Sequence, residues 1–458
     1  MTGTGLVGAA FAATIELARA RHLNVWEPWL PAEAVPPGAG LVRLLHLGVD
    51  VPAGAVDPAQ AELIVQLGLG RRESDRLVAA SWAVTAFRGV LAAGHREYGS
   101  GVGDIHIGED SLRFAAAVLA AAPRGRVLDI GCGSGLASMA AARTAHQVLG
   151  LDVLPAAVEA FGISAALNPG LADCRAEVGD FLDLGRGDGY DAVVANLPGV
   201  PVPDGVPYPT AGDGGPDGLR LIRALWRWYA GMSTADSLVM RFQCPGGPRT
   251  PIAVAELAGF MPPGCDILVV TDSAVPMLVR NAITATRAAT LDSQRGAEEL
   301  TEELQRRCAE RGWTHYHCST LRIRRNGSGM RVHVPTPDLV DVRRSYRGTG
   351  WSMSVEELAL KVGAELRRMP DEFWSVAGLN AIQDALAHLE RIYTDLGHGA
   401  TERQIASSLS DASTPLDQAA AVLVVSAIAR VMVRMSLLVP VVGVDAPVTE
   451  GRRGMGSA

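Results

Sequence analysis

In the first third of the chain, Asp129-Ile130-Gly131-Cys132-Gly133-Ser134-Gly135 combines an acid with glycine at every second position. Glycine lets backbone approach a ligand where a Cβ would collide. The segment falls between a predicted strand and a predicted helix, the crevice in which open α/β sheets take nucleotides. A dinucleotide would ask for G-x-G-x-x-G, but the third glycine position holds Leu136, too bulky for the required helix–strand contact. The observed G-x-G-x-G, preceded by Asp129, suits a nucleoside cofactor with an ammonium group and no pyrophosphate. S-adenosylmethionine answers that description.

Three further strand ends offer compatible groups. Asp152, with Val153 after it, ends the second strand, where a carboxylate can accept both ribose hydroxyls. Gly179-Asp180-Phe181 ends the third: Asp180 is placed to accept from an adenine amino group, and Phe181 to pack beside the ring. Asn196 ends the fourth. The cofactor set is therefore Asp129, Gly131, Cys132, Gly133, Gly135, Asp152, Val153, Asp180, Phe181 and Asn196, with no metal. Transfer from a sulfonium is an in-line displacement, so the protein has mainly to align the acceptor and exclude water. The candidates for that work are Asn196, Tyr98, His106, Glu109 and Tyr208. His106 has the intrinsic pKa of a base, should the acceptor have to lose a proton.

The elements that must hold these residues alternate. Strands are predicted at 126–130, 147–153, 174–178, 190–196, 237–244 and 266–271, with helices at 136–144, 155–167, 219–232 and 251–259. Repeated β–α units of this length imply a Rossmann-like, doubly wound, mostly parallel sheet covered by helices. A helix is predicted over 287–311, then a hairpin joining 313–325 to 330–334 through Asn326-Gly327. Residues 1–94 read as a mainly helical, winged-helix-like domain, with Asp57-Pro58 opening one helix and 73–93 forming another. Residues 95–335 form the cofactor domain and 336–445 a C-terminal helical domain. Its signals are the capping boxes Ser354–Glu357 and Thr401–Gln404 and the start Thr414-Pro415. Residues 446–458 read as a disordered tail.

Composition narrows the options. Charged residues are 20% and hydrophobic residues 48%, which excludes a wholly disordered chain. A net charge of −8 argues against a chain-wide nucleic-acid footprint. Arg322-Ile323-Arg324-Arg325 lacks aromatic interleaving and reads as a solvated strand. Lys361 is the chain's one lysine, set in a helical pattern far from the motifs, which disfavours Schiff-base catalysis. No cysteine pair forms C-x-x-C, no signal peptide is evident and no apolar run suits a membrane span, so a cytoplasmic protein is expected. His315-Tyr316-His317-Cys318 could suggest a metal, but its alternation equally suits a strand.

On these residues the chain resembles the class I S-adenosylmethionine-dependent methyltransferases, and within them the release-factor glutamine N5-methyltransferases and related small-domain enzymes. The resemblance covers roughly residues 95–245 and weakens towards 335. The family's glycine motif falls on Asp129–Gly135, its ribose acid on Asp152 and its adenine-side acid on Asp180. Its N-P-P-[YF] motif falls on Asn196-Leu197-Pro198-Gly199, and its Gly-Gly-x-Asp-Gly-Leu segment on Gly212–Leu219. Its Pro-Glu-Thr-like segment falls on Ile107-Gly108-Glu109-Asp110. Family likeness implies that the asparagine and a proline carbonyl hold a planar nitrogen while the aromatic residue stacks on it. Here Leu197 and Gly199 replace the first proline and the aromatic residue. Tyr208 could supply the missing face.

The expected activity is methyl transfer to nitrogen or oxygen of a small molecule, in specialised-metabolite biosynthesis, under flanking helices that cover the pocket or make a homodimer. The alternatives are a protein glutamine methyltransferase, or a S-adenosylmethionine-binding protein that does not methylate.

Overall fold

The computed structural model describes residues 9–21, 35–36, 38–96, 105–185, 189–232, 235–260, 264–292, 294–325, 329–333 and 345–348, and parts of 358–441. It divides into two units, Met1–Val340 and Asp341–Ala458.

The first unit opens with helices α1 (Ala9–Arg21), α2 (Gly40–Leu45) and α3 (Pro58–Gln66). Asp57 caps α3 as expected, accepting from the amides of Ala59 and Gln60, with Pro58 in the first turn. The helix expected over 73–93 is absent. Strand β1 (Val51–Pro52) instead pairs with β3 (Arg76–Ala79), which pairs with β2 (Gly70–Glu73). A hairpin of β4 (Trp82–Phe87) and β5 (Val90–His95) follows. Every residue of β4 is buried, and a strand buried on both faces shows no period-two pattern. Its two-residue turn, Arg88-Gly89, has positive φ at both positions (47° and 80°), the type I′ arrangement that matches strand twist.

After α4 (Glu109–Ala121) the expected alternation appears as β6 (Arg126–Ile130), α5 (Leu136–Ala141), β7 (Gln147–Asp152), α6 (Pro155–Leu167), β8 (Asp173–Val178) and β9 (Ala192–Asn196). It continues as α7 (Arg220–Gly231), β10 (Ser237–Gly246), α8 (Ile252–Phe260) and β11 (Cys265–Pro276). The helix expected over 287–311 is two, α9 (Met277–Leu291) and α10 (Ala297–Glu310), separated at residues 292–296. Then come β12 (His315–Arg325) and β13 (Gly329–His333). These last two do not form the expected hairpin: β13 pairs parallel with β11, and β12 lies between β10 and β11, antiparallel to both.

The result is one mostly parallel sheet of eight strands in the order β13-β11-β12-β10-β9-β6-β7-β8. From β6 the chain winds outward through β7 and β8, then returns to β9 and winds the other way. That reversal makes a switch point, with its ligand crevice at the carboxyl ends of β6 and β9. The β4–β5 hairpin docks on this layer through α6. Ser164 Oγ accepts from the Ala93 amide at 2.9 Å, and Asn168 bonds both backbone groups of Leu91. Ala157, Ala160, Ile163 and Leu167 of α6 share a core with Val84, Leu91 and Ala93.

In the second unit, β14 (Ser345–Gly348) pairs antiparallel with β15 (Leu438–Val441), so the all-helical expectation needs correcting there. Its described helices include α11 (Leu389–Gly397), α12 (Glu402–Leu409) and α13 (Pro415–Arg434). Thr414 starts α13 as expected, its Oγ1 accepting from the Asp417 amide at 3.2 Å. The capping residues at Ser354 and Thr401 lie outside the described residues. No helix among the described residues is long and apolar enough to cross a membrane.

Candidate functional site

Beyond Ile130 the chain turns through Gly131, Gly133 and Gly135 at φ of 69°, 50° and 75°, a region side chains avoid. The amides of Gly131 and Cys132 both donate to the Leu151 carbonyl, at 2.8 and 3.2 Å, which ties the loop to the end of β7. A Cβ on Gly135 would come within 3.0 Å of the Phe161 ring, whereas nothing lies within 4 Å of a Cβ position on Gly133. The loop is thus packed on its inner side and bare at Gly133. Cys132 is buried in the core, and burial pushes its thiol pKa up, so its backbone rather than its sulfur serves the loop.

The acids divide in two. Asp129 is 1% exposed, and its Oδ2 accepts from Ser138 Oγ at 2.5 Å. Burial pushes its carboxyl up to about 7. It faces inward and joins β6 to α5 through Ser138. Asp152 stands at the crevice. Its Oδ2 accepts from the Gly133 amide at 2.9 Å and its Oδ1 from the Leu154 amide at 3.0 Å. Each oxygen keeps a second lone pair for a hydroxyl. Burial raises its pKa against the opposing effect of those amides. Asp180 caps a short turn through the Leu182 amide, at 2.9 Å.

Apolar surface gathers beside these acids. Val153, Val178 and Leu182 are 50%, 55% and 56% exposed, three of the six exposed large hydrophobic side chains among the described residues. All three lie at the ends of β7 and β8. Phe181 is buried below with Leu128, Leu151 and Val193. Phe181 therefore packs under the strand ends, and Val153 and Leu182 present the apolar surface. A bare glycine turn, a carboxylate with free lone pairs and an apolar seat fit the adenosine part of S-adenosylmethionine.

Asn196, expected from the sequence to position the acceptor, donates its Nδ2 to Asp110 Oδ2 at 3.2 Å. Both Asp110 and Glu109 begin α4, but Glu109 turns along the helix to Arg113 at 2.6 Å. Asp110 is the acid that reaches Asn196. Gly108 makes room for it: a Cβ there would lie 2.9 Å from both Asp110 Oδ1 and His106 Nε2. His106 and Asp110 therefore flank one point at the mouth of α4. Arg241, the residue paired with Asn196 across β9–β10, is 2% exposed. It bonds Asp272 through both Nη atoms, at 2.7 and 3.2 Å. Asp272 sits where the β11–β12 register shifts, a bulge that re-aims its carboxylate. Burial works against the charge on Arg241, but Asp272 and, more weakly, Asp110 hold its pKa above the ordinary value.

Past Asn196, the stretch 197–219 folds back on itself. Val200 donates its amide to the Gly212 carbonyl and its carbonyl accepts from Gly214. Gly199 faces the backbone of β10 so closely that a Cβ would lie 2.7 Å from the Gln243 carbonyl oxygen. Gly214 and Gly218 pack against Gly199 in turn. An aromatic side chain has no room there. Tyr208 lies in the same loop, its hydroxyl accepting from Arg280 at 2.7 Å. Arg280 covers the Tyr316 ring, and Tyr316 donates to Gln243. Tyr208 is thus linked to the Gly199 position through three side chains. Tyr98 lies outside the described residues. In β12, His317 Nε2 bonds the Gly247 carbonyl at 2.7 Å.

Asp110, Arg241 and Asp272 were not among the candidates. Asp110 adjoined one, but neighbours on a helix point about 100° apart, and sequence does not say which will face the crevice. Arg241 and Asp272 carry no local signal, since their pairing comes from strand register.

Residues 127–205 match a family model described as a methyltransferase domain. Among solved structures, WT Trm5b from Pyrococcus abyssi is 13% identical over 56% of this chain, at a TM-score of 0.31; the chain spans 61% of that protein. A SAM-dependent methyltransferase from Agrobacterium tumefaciens is 16% identical over 57% of this chain and 74% of its own, at 0.33. Geranyl diphosphate C-methyltransferase from Streptomyces coelicolor A3(2) is 15% identical over 46% and 78%, at 0.26.

Proposed function

We propose that this class I methyltransferase, whose cofactor is S-adenosylmethionine, methylates a nitrogen or oxygen atom of a small molecule in specialised-metabolite biosynthesis. The observation that carries the reading is the pairing of Asn196 with Asp110 in a crevice where Gly199 excludes the aromatic platform for a flat amide.

When bound, the cofactor supplies an electrophilic methyl group on sulfur. The Gly131–Gly135 turn and Asp152 would hold its adenosine, with Asp180, Val153 and Leu182 on the base side. Asp110, as a carboxylate, can only accept, so it turns the Asn196 amide with nitrogen towards itself. Asn196 Oδ1 is left to receive a hydrogen bond from the acceptor. Asp110 is therefore a positioning residue. His106, which flanks Gly108 with Asp110, would take the proton from an acceptor that must lose one. Alignment of this kind can lower a barrier by about 7–11 kcal/mol, so a strong base is not essential. Arg241 and Asp272 tie β10 to β11 across the intervening β12 beside Asn196, because an ion pair with two hydrogen bonds resists rotation.

The test is incubation of the full chain with methyl-labelled S-adenosylmethionine and a small-molecule extract, beside a Gly-Gly-Gln peptide. Label in the small-molecule fraction is expected. Label confined to the peptide, or donor loss without labelled product, would overturn the reading.

A further inference from the structure

At the amino ends of the parallel strands, on the sheet edge opposite the crevice, lies a cavity of about 540 Å³. Its floor is small and apolar, with Ala192 of β9 and Val239 of β10. Its rim is basic: Arg124 after α4, His146 before β7, and Arg322 and Arg324 on β12. Two residues apart on a strand, Arg322 and Arg324 point to the same face. Their register partners on β10, Val239 and Ser237, carry no charge.

Like charges on one strand face repel unless something offsets them. Two acids line the cavity, Asp191 and Asp236. Asp191 Oδ2 accepts from the Arg126 amide at 2.7 Å and is wedged against Gly125, where a Cβ would lie 2.1 Å from it. Asp266 stands opposite Arg324 on β11. Among the described residues, no hydrogen bond or ion pair engages the guanidinium of Arg124, Arg322 or Arg324. Arg325, also on the rim, donates to the carbonyls of Ala235, Tyr229 and Met232. The cavity is therefore an electropositive hollow in a chain of net charge −8.

We propose that this cavity binds a small phosphate-bearing ligand, held by Arg124, Arg322 and Arg324. Guanidinium forks match phosphate oxygens two at a time. The volume lies in the range of small-molecule sites. No Phe, Tyr or Trp lines it to stack a nucleobase, which sets it apart from a single-stranded nucleic-acid platform. A ligand here is separated from the crevice by the length of the strands, so it acts as an effector or a second ligand, not as the methyl acceptor.

The test is calorimetric titration of the full chain with pyrophosphate, and in parallel with a single-stranded RNA oligonucleotide. Each titration is repeated on R322Q/R324Q and on R124Q, whose site is an exposed loop. Saturable pyrophosphate binding is expected, weaker by about tenfold or more in R322Q/R324Q, the loss of at least one charge-assisted contact. R124Q should weaken it in the same direction. Absence of saturable binding, or binding unchanged in both variants, overturns the proposal. RNA binding tighter than pyrophosphate at equal salt, and lost in the variants, overturns the small-ligand class.

Discussion

Asn196 Nδ2 donates to Asp110 Oδ2 across 3.2 Å, which joins the end of β9 to the first turn of α4. Because the carboxylate accepts only, the pair has one sense, and it leaves the amide oxygen directed away from α4. Removing one partner of such a bond costs about 1–3 kcal/mol. Asp110→Ala should therefore lower kcat by about ten- to a hundredfold. S-adenosylmethionine affinity should stay the same, since the proposed role of Asp110 is to orient Asn196. Asp110→Asn can still accept from Asn196 and should recover part of the rate. Calorimetry with the donor and steady-state labelling with the acceptor check both halves.

Asp152 is the proposed ribose acid. Its two oxygens already hold the Gly133 and Leu154 amides, so it shapes the glycine turn as well as offering lone pairs. Asp152→Ala should weaken donor binding by about ten- to a hundredfold, the worth of a charged hydrogen-bonding group. Circular dichroism should show the fold retained.

Gly199 stands where the N-P-P-[YF] motif that the sequence resembles would place an aromatic residue. With Gln243 backbone 2.7 Å from its Cβ position, Gly199→Phe cannot restore a stacking face without displacing β10 or the 212–218 turn. The expected outcome is lost stability, by at least about 1–3 kcal/mol for overpacking, and no gain in glutamine methylation. Thermal denaturation and a Gly-Gly-Gln peptide assay read the two effects.

Asp129 gives a pH signature. Its carboxyl is raised by burial from its usual value to about 7 in the folded chain. The folded state therefore binds the proton more tightly than the unfolded state. Its contribution is fully present below pH 4 and is lost as pH rises through 7. Asp129→Asn removes that dependence. The melting-temperature difference, variant minus wild type, should rise between about pH 4 and pH 7 and then level. A flat difference would show that Asp129 is ionised like a surface acid.

Much of this was readable in advance. The strands that end at Ile130, Asp152, Val178 and Asn196 announce themselves because short apolar runs alternate with helix-length segments, and Pro155–Leu167 starts and stops where its proline and Asn168 place it. The β4–β5 hairpin was hidden because both its faces are buried and its turn is Arg-Gly rather than Asn-Gly. The partner of β13 was hidden because Asn326-Gly327 is a strong local turn signal, while the parallel pairing with β11 is long-range. The glycine turn and the acids at the strand ends were legible because they fall where predicted strands stop. The cluster around Asn196 was less so, since Asp110, Arg241 and Asp272 are placed by helix orientation and strand register.

The most direct test is calorimetry of the intact, folded chain with S-adenosylmethionine and with its demethylated thioether product. A single saturable site for both, weakened in Asp152→Ala and unchanged in Asp110→Ala, is the predicted result. No heat of binding for either compound, on protein shown to be folded, would contradict the assignment of the β6–β9 crevice as a methyl-donor site.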